Sequence, residues 1–244
     1  MIRVCDDLEA VSHAAAELFA AEAQQAVKAR GRFLVALAGG ATPQRTYELL
    51  AQEPFRDPVP WQNTHIFWGD ERCVPADDPR NNARMAYQAL LKHVPVPSAQ
   101  VHPMVCDSSP HGAAVEYEAL LRDLFIAAPP RFDLVLLGLG KDGHTASLFP
   151  GTPALEEQQR LVAEVYVAEE GLHRLTLTAA VINQAALVVF LVSGYSKAAI
   201  LRNVLEDASD PRSLPARLIK PAHGGLLWLV DRDSASLLQS RKDR

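Results

Sequence analysis

The stretch FDLVLLGLGKDGHTASLFPGT, Phe132 to Thr152, sets an apolar run of strand length directly before Gly138, Gly140 and Gly143. These glycines satisfy the formal pattern G-x-G-x-x-G. A dinucleotide site needs such glycines to open a full helix, with an acidic residue about 20 positions further on for the ribose. Here Pro150, Gly151 and Pro153 break any helix within roughly two turns of Gly143. Glu164 lies near the required offset, but VAEVYVAEE around it has no clear strand-end placement. What is left is Asp142-Gly143-His144 on a glycine-rich turn at a strand end. A histidine there can act as general base near neutral pH, with a neighbouring carboxylate to orient its ring and stabilise the imidazolium. The plainer reading makes Asp142 a helix cap and His144 a structural residue.

Other apolar runs repeat the pattern of Phe132–Gly140. Phe33–Gly40, Thr64–Glu71, Arg174–Thr178, Ala185–Gly194 and Leu226–Val230 read as strands. The richest are apolar on both faces, as buried strands of a mostly parallel sheet are. Between them fall helical patterns: an Ala-rich amphipathic run ending at Gly31, then Asn81–His93 and Ala113–Phe125. The alternation predicts an α/β, Rossmann-like open sheet with helices on both faces. No linker, repeat or low-complexity segment divides the chain, so one domain over residues 1–244 is expected. The Pro-rich patches Pro54–Pro60 and Pro95–Pro103 read as surface connections.

Composition narrows the function classes. A net charge of −5 gives no basic excess for sequence-independent nucleic-acid binding. The longest apolar run, about Ala185–Val192, is far shorter than a membrane span. Cys5, Cys73 and Cys106 are odd in number and scattered, which predicts reduced cysteines in a cytoplasmic protein and no thiolate zinc site. The remaining histidines show no metal spacing, and His65, mid-strand, reads as a core or sheet-face residue.

In open parallel sheets ligands collect beyond the carboxyl ends of the strands. Candidate residues are therefore those that follow each run. In AGGATPQRTYELL, Gly39 and Gly40 end a strand, Thr42 occupies the expected N-cap position and Pro43 the first helical turn. Exposed N–H groups at such a helix start bind phosphate; the plainer reading is a capped turn. In FWGDER, Asp70, Glu71 and Arg72 follow a strand directly. They make either a solvated charged turn or an anion clamp in which a carboxylate fixes Arg72. In SGYSKAAIL, Lys197 falls in the first turn of a helix, where a cation opposes the dipole unless an anion shares the site. Arg174, opening RLTLT, is a further possible cation. Together these loops supply amide donors, cations, an imidazole and carboxylates, an inventory suited to acid–base chemistry on a phosphorylated small molecule. Walker A, H-E-x-x-H and G-x-S-x-G patterns are missing, and Ser147 and Ser193 have no recognisable nucleophile setting.

AGGATP, WGDER, NN-x-x-x-A (Asn81 to Ala86), LGLGKDGHTASLFPGT and SGYSKA occur in an order that resembles the 6-phosphogluconolactonases. The likeness spans about Gly39 to Val230. DGHTASLFP is its specific part; the rest is shared with a superfamily that includes glucosamine-6-phosphate deaminases. The resemblance implies hydrolysis of 6-phosphoglucono-δ-lactone in the oxidative pentose phosphate pathway without metal or organic cofactor. It implies His144 as general base with Asp142 beside it. Arg72 serves catalysis and anion binding, and Gly39, Gly40, Thr42, Asp70, Gly143, Arg174 and Lys197 line the substrate site. The family's loop usually reads G-G-S-T-P, and Ala41 replaces that serine at a loss of about 1 kcal/mol of hydrogen bonding. The deaminases look like D-G-H-I-A-F-N-E-P, whereas Leu148-Phe149-Pro150 offers no acid at the matching place. A non-catalytic sugar-phosphate binder and a nicotinamide-dependent oxidoreductase compete with the lactonase reading. The expected partner is a small sugar-phosphate lactone, with no nucleic acid or membrane, on a monomer or weak homodimer.

Overall fold

The computed structural model describes residues 1–107, 109–125, 131–208 and 210–239. The chain opens with β1 (Ile2–Cys5), α1 (Leu8–Arg30), β2 (Phe33–Leu37), α2 (Ala41–Leu50), β3 (Thr64–Trp68) and β4 (Asp70–Arg72). It continues through α3 (Asn82–Ala89), α4 (Pro110–Leu124), β5 (Leu134–Leu137), β6 (Val162–Val167) and β7 (Leu172–Leu177). It closes with α5 (Ala179–Ile182), β8 (Leu187–Val192), α6 (Ala198–Glu206) and β9 (Gly225–Asp231).

Six strands form a parallel sheet in the order β1-β9-β8-β5-β2-β3. Alternation along each central strand sends side chains to two separate cores. Phe33, Val35 and Leu37 join Leu134, Leu136, Val189 and Leu191 on one face, with buried residues of α1, α2 and α3. Leu34, Ala36, Val135, Leu137, Val188 and Phe190 occupy the other, under α4, α6 and the strands β6 and β7. Both faces are dry, which is why these strands read as continuous apolar runs. The fold is therefore the Rossmann-like α/β class expected, with helices on both faces of the sheet. α1 begins where the Asp7 carboxylate accepts from Ala10 N at 2.8 Å, and ends at Gly31 in the left-handed region, φ 75°.

The sequence reading of Thr64–Glu71 as one strand is corrected. At Gly69 the chain leaves the parallel sheet: its N–H donates to Leu37 O, while its own carbonyl accepts from Leu177 N, both at 2.8 Å. The next three residues, Asp70–Arg72, form β4 of a second sheet, β4-β7-β6, which is antiparallel. Arg174 accordingly sits within an antiparallel strand, and β1 and β6 add strands that the sequence pattern did not disclose. The expectation of unpaired cysteines is corrected too. Cys73 and Cys106 form a disulfide with Cα atoms 5.2 Å apart, although 33 residues separate them in sequence. Cys5 is buried and free. Among the described residues no helix is long and apolar enough to cross a membrane.

Candidate active site

A cavity of about 730 Å³ opens beyond the carboxyl ends of β2, β5 and β8, with β4 and β7 forming one wall. Gly39, Gly40, Asp70, Arg72, Asp142, His144, Arg174 and Lys197 all line it.

His144 rides the turn after β5. Its Nδ1 lies 2.5 Å from Asp142 Oδ1, and its backbone N–H donates to the same oxygen at 3.2 Å. Two bonds to one carboxylate fix the ring, and the proton shared with Asp142 leaves Nε2 as the basic nitrogen. The imidazole packs at 4.0 Å between centroids on Phe149 and lies close over Gly140, where any Cβ would overlap it. Burial pushes the Asp142 carboxyl up, but the hydrogen bond and charge of His144 outweigh it and hold that carboxyl below the usual range.

The second sheet brings Arg72 and Arg174 directly opposite each other. Like charges in that position repel, so each needs compensation. Arg174 is 5% exposed and fully engaged. It is doubly bonded to Glu170, donates to Ser147 Oγ at 3.4 Å, lies 3.6 Å from Asp70 and covers the Phe149 ring at 5.2 Å. Arg72 spends only Nη1, on Asn82 Oδ1 and Arg80 O. Its Nε and Nη2 donate to no described residue, so Arg72 is the arginine with donors left for a ligand.

Asp70 lines the cavity but is occupied within the protein. Oδ2 accepts from Ser147 at 2.6 Å and Asn82 Nδ2 reaches Oδ1 at 3.4 Å. It positions its neighbours while still lining the cavity in which substrate contact is expected of it. Ser147 is buried on Asp70 and Ser193 is bonded to Asp231, so neither is a nucleophile. Glu71 accepts from the backbone N–H groups of Arg72, Asn82 and Ala83, each at 2.8 Å, and so caps α3. Burial nevertheless pushes its carboxyl up to about 7.

Two predicted contacts fall outside the cavity. Thr42 is not the N-cap; Gly40, φ 104°, holds that place, and no side chain caps α2. The turn starts earlier than the Thr-Pro pair suggests because Gly40 alone adopts the required backbone. Gly143 gives its N–H to Gly140 O and its carbonyl to Ala216 N, and Leu214 packs where a side chain would be. It shapes the turn without facing the cavity. Lys197, by contrast, does line it, at the end of a short turn, Tyr195–Lys197, and directly before α6. Its Nζ donates to Leu139 O at 2.7 Å, which ties it to the loop that carries His144. Burial lowers its pKa, and the charge of Lys141 adds to that against a smaller opposing effect of Asp142.

Three functional neighbours went unassigned in the sequence: Asn82, Glu170 and Lys141, all lining the cavity. Asn82 stands so close to Gly39 that any Cβ there would overlap its amide. The Asn81-Asn82 pair was visible, but nothing in one sequence says which of two asparagines caps a helix and which faces a ligand. Glu170 lay in a stretch not recognised as a hairpin. No group of three or more His, Cys, Asp or Glu among the described residues could hold a metal ion.

The strand-end loops of an open parallel α/β sheet thus gather an imidazole–carboxylate pair, an arginine with unspent donors, a lysine and a glycine-opened helix start around one cavity. The family described as glucosamine-6-phosphate isomerases/6-phosphogluconolactonase matches residues 6–228. A 6-phosphogluconolactonase of Synechocystis sp. is 45% identical over 219 residues, covering 88% of each chain. One from Nostoc sp. is 39% identical over 94% of this chain and 95% of its own. The solved 6-phosphogluconolactonase of Trypanosoma brucei superposes with a TM-score of 0.85 at 31% identity, over 97% of both chains. The chain belongs to this glucosamine-6-phosphate isomerase/6-phosphogluconolactonase family.

Proposed function

We propose that this chain hydrolyses 6-phosphoglucono-δ-lactone to 6-phosphogluconate, with His144 as general base. As a family member whose relatives are 6-phosphogluconolactonases, the chain is a lactonase, an enzyme of the hydrolase class. One observation carries the residue assignment: His144, Arg72 and Lys197 come from three different elements and share one cavity with Gly39 and Gly40.

His144 Nε2 takes a proton from a water that attacks the lactone carbonyl, and Asp142 steadies the imidazolium that results. Negative charge develops on the carbonyl oxygen, and the unspent N–H groups of Arg72 are the donors that meet it. The C–O bond of the ring then breaks as the imidazolium returns its proton to the departing ring oxygen. One water is consumed, and the carboxylic acid formed loses its proton to solvent. Lys197 and the amides at the start of α2 hold the phosphate, away from the reacting carbon, which fixes the ring in place before attack. The cytoplasmic compartment and the place in the oxidative pentose phosphate pathway are part of this proposal.

The test is lactone loss above the spontaneous rate, followed with freshly made lactone, with and without NAD(P), beside glucosamine 6-phosphate as a separate substrate. Cofactor-independent acceleration with no ammonia release supports the reading. No acceleration of lactone loss rejects it and leaves a sugar-phosphate binder.

A further inference from the structure

Arg174 is gripped by the Glu170 carboxylate, whereas Arg72 forms no ion pair among the described residues. Its orientation therefore depends on what holds its backbone and its Nη1, and both lead to Glu71. Alternation along β4 puts Asp70 and Arg72 on the cavity wall and turns Glu71 away from it. There Glu71 is 1% exposed, and no cation pairs with it among the described residues. A carboxylate is costly to bury in that state. Its compensation is three backbone N–H groups, each at 2.8 Å: Oε1 accepts from Arg72 and Asn82, and Oε2 from Ala83. Three converging donors call for a group that only accepts, which a carboxylate does and an amide does not.

Asn82 and Ala83 are the first residues of α3. Glu71 thus fastens the start of that helix to β4, at the point where Asn82 meets the arginine. The Asn82 amide is spent on both sides. Nδ2 donates to Asp70 O at 2.9 Å, and Oδ1 accepts from Arg72 Nη1. Arg72 is therefore held at its backbone by Glu71, and at its guanidinium by an asparagine whose own N–H Glu71 holds. Asn82 also fills the space that a Cβ on Gly39 would need, so it has no room to shift toward the turn after β2.

We propose that Glu71 is a positioning residue for catalysis: through Asn82 it holds the Arg72 guanidinium where the oxyanion of the opening lactone forms. A neutral oxygen on Nη1, in place of a carboxylate, fixes the guanidinium and leaves Nε and Nη2 to meet that oxyanion. The inference rests on the lactonase reading in one respect, the role of Arg72, and the test separates the two.

The test is a double-mutant cycle in the full chain, with kcat and KM for 6-phosphoglucono-δ-lactone taken per folded molecule. Glu71→Gln keeps the shape but turns an amide N–H toward one of the three backbone donors. It should lower kcat by about 10- to 100-fold, the cost of a misplaced group, with KM little changed. Asn82→Ala, which keeps the three bonds to Glu71 but cuts the link to Nη1, should do the same. A carboxylate that only capped α3 would cost stability and leave kcat per folded molecule alone. Arg72→Ala should lower kcat by roughly 10²- to 10³-fold. In the Arg72→Ala background neither Glu71→Gln nor Asn82→Ala should lower kcat further, because the group they position is gone. Additive losses, or a parent-like kcat in Glu71→Gln, overturn the inference while the Arg72 assignment stands. A parent-like kcat in Arg72→Ala overturns that assignment and the inference with it. Should Glu71→Gln fail to fold, the Asn82→Ala cycle decides by the same criteria.

Discussion

The two sheets build the active site by opposite means. The parallel sheet contributes loop tips: Gly39 and Gly40 after β2, His144 after β5 and Lys197 after β8. Its strands stay apolar and dry, and the polar residues of the cavity sit on short turns beyond them. The antiparallel sheet contributes strand residues themselves, and it places Arg72 against Arg174 in register. A repulsive pair of this kind survives because Glu170 and Asp70 absorb one arginine, which leaves donors of the other available. The large sheet is thus a scaffold with reactive edges, whereas the small one stores charge. Phe149 joins them, with the His144 ring packed on it at a 30° tilt and the Arg174 guanidinium over it.

The sharpest way to break this division is at a loop tip. His144→Ala should lower kcat by about 10²- to 10⁴-fold while circular dichroism and the melting temperature stay near those of the parent. Turnover near the parent level would move the base elsewhere. Within the scaffold, Phe190→Ala should do the reverse. Phe190 is fully buried and stacked on Trp228 at 3.8 Å, so its loss should cost about 3–5 kcal/mol in denaturant unfolding, with kcat per folded molecule little changed.

The arginines sharpen the comparison inside the small sheet. Arg174→Ala strips the nearby cation from the buried Asp70 and should cost about 3 kcal/mol of stability, somewhat less than a fully enclosed pair because Glu170 is partly exposed. Arg72→Ala removes the donors proposed to meet the developing oxyanion and should lower kcat by roughly 10²- to 10³-fold with little change in stability. If the two exchange phenotypes, the assignment of Arg72 to substrate and Arg174 to structure is wrong.

These differences also explain what one sequence discloses. Strands buried on both faces advertise themselves, so β2, β5 and β8 were legible, as was α1 with its closing Gly31. The small sheet was not. β4 has three residues, too few to show alternation, and β6 breaks its apolar pattern with Glu164 and Tyr166. The switch between sheets depends on one glycine, Gly69, whose two hydrogen bonds join chain segments far apart. Within the site, strand-end position pointed to His144 and Lys197. Side-chain bookkeeping across the fold was invisible: that Asp70 is spent on Ser147, that Asn82 faces Gly39, and that Cys73 meets Cys106 all follow from long-range packing.

Lys197 is the mildest case and the one where scaffold and charge overlap. Its amine is half-buried, so removing it deletes one charge from the place proposed for the phosphate, while the stem leaves a small gap. Lys197→Ala should weaken substrate and product by about tenfold, a single charged hydrogen bond at the low end. Its effect should shrink with a substrate lacking phosphate. The pH dependence is the more discriminating measurement. Burial and Lys141 lower the amine's pKa, so the ammonium is lost at a less alkaline pH than for a free lysine. Binding that needs the charge is complete below that value and declines as pH rises through it. Calorimetry with 6-phosphogluconate, which does not hydrolyse, should show affinity falling across the alkaline range in the parent and a flatter profile in Lys197→Ala. Equal slopes in the two would mean that another group carries the alkaline transition and that Lys197 serves only to hold the His144 loop through Leu139.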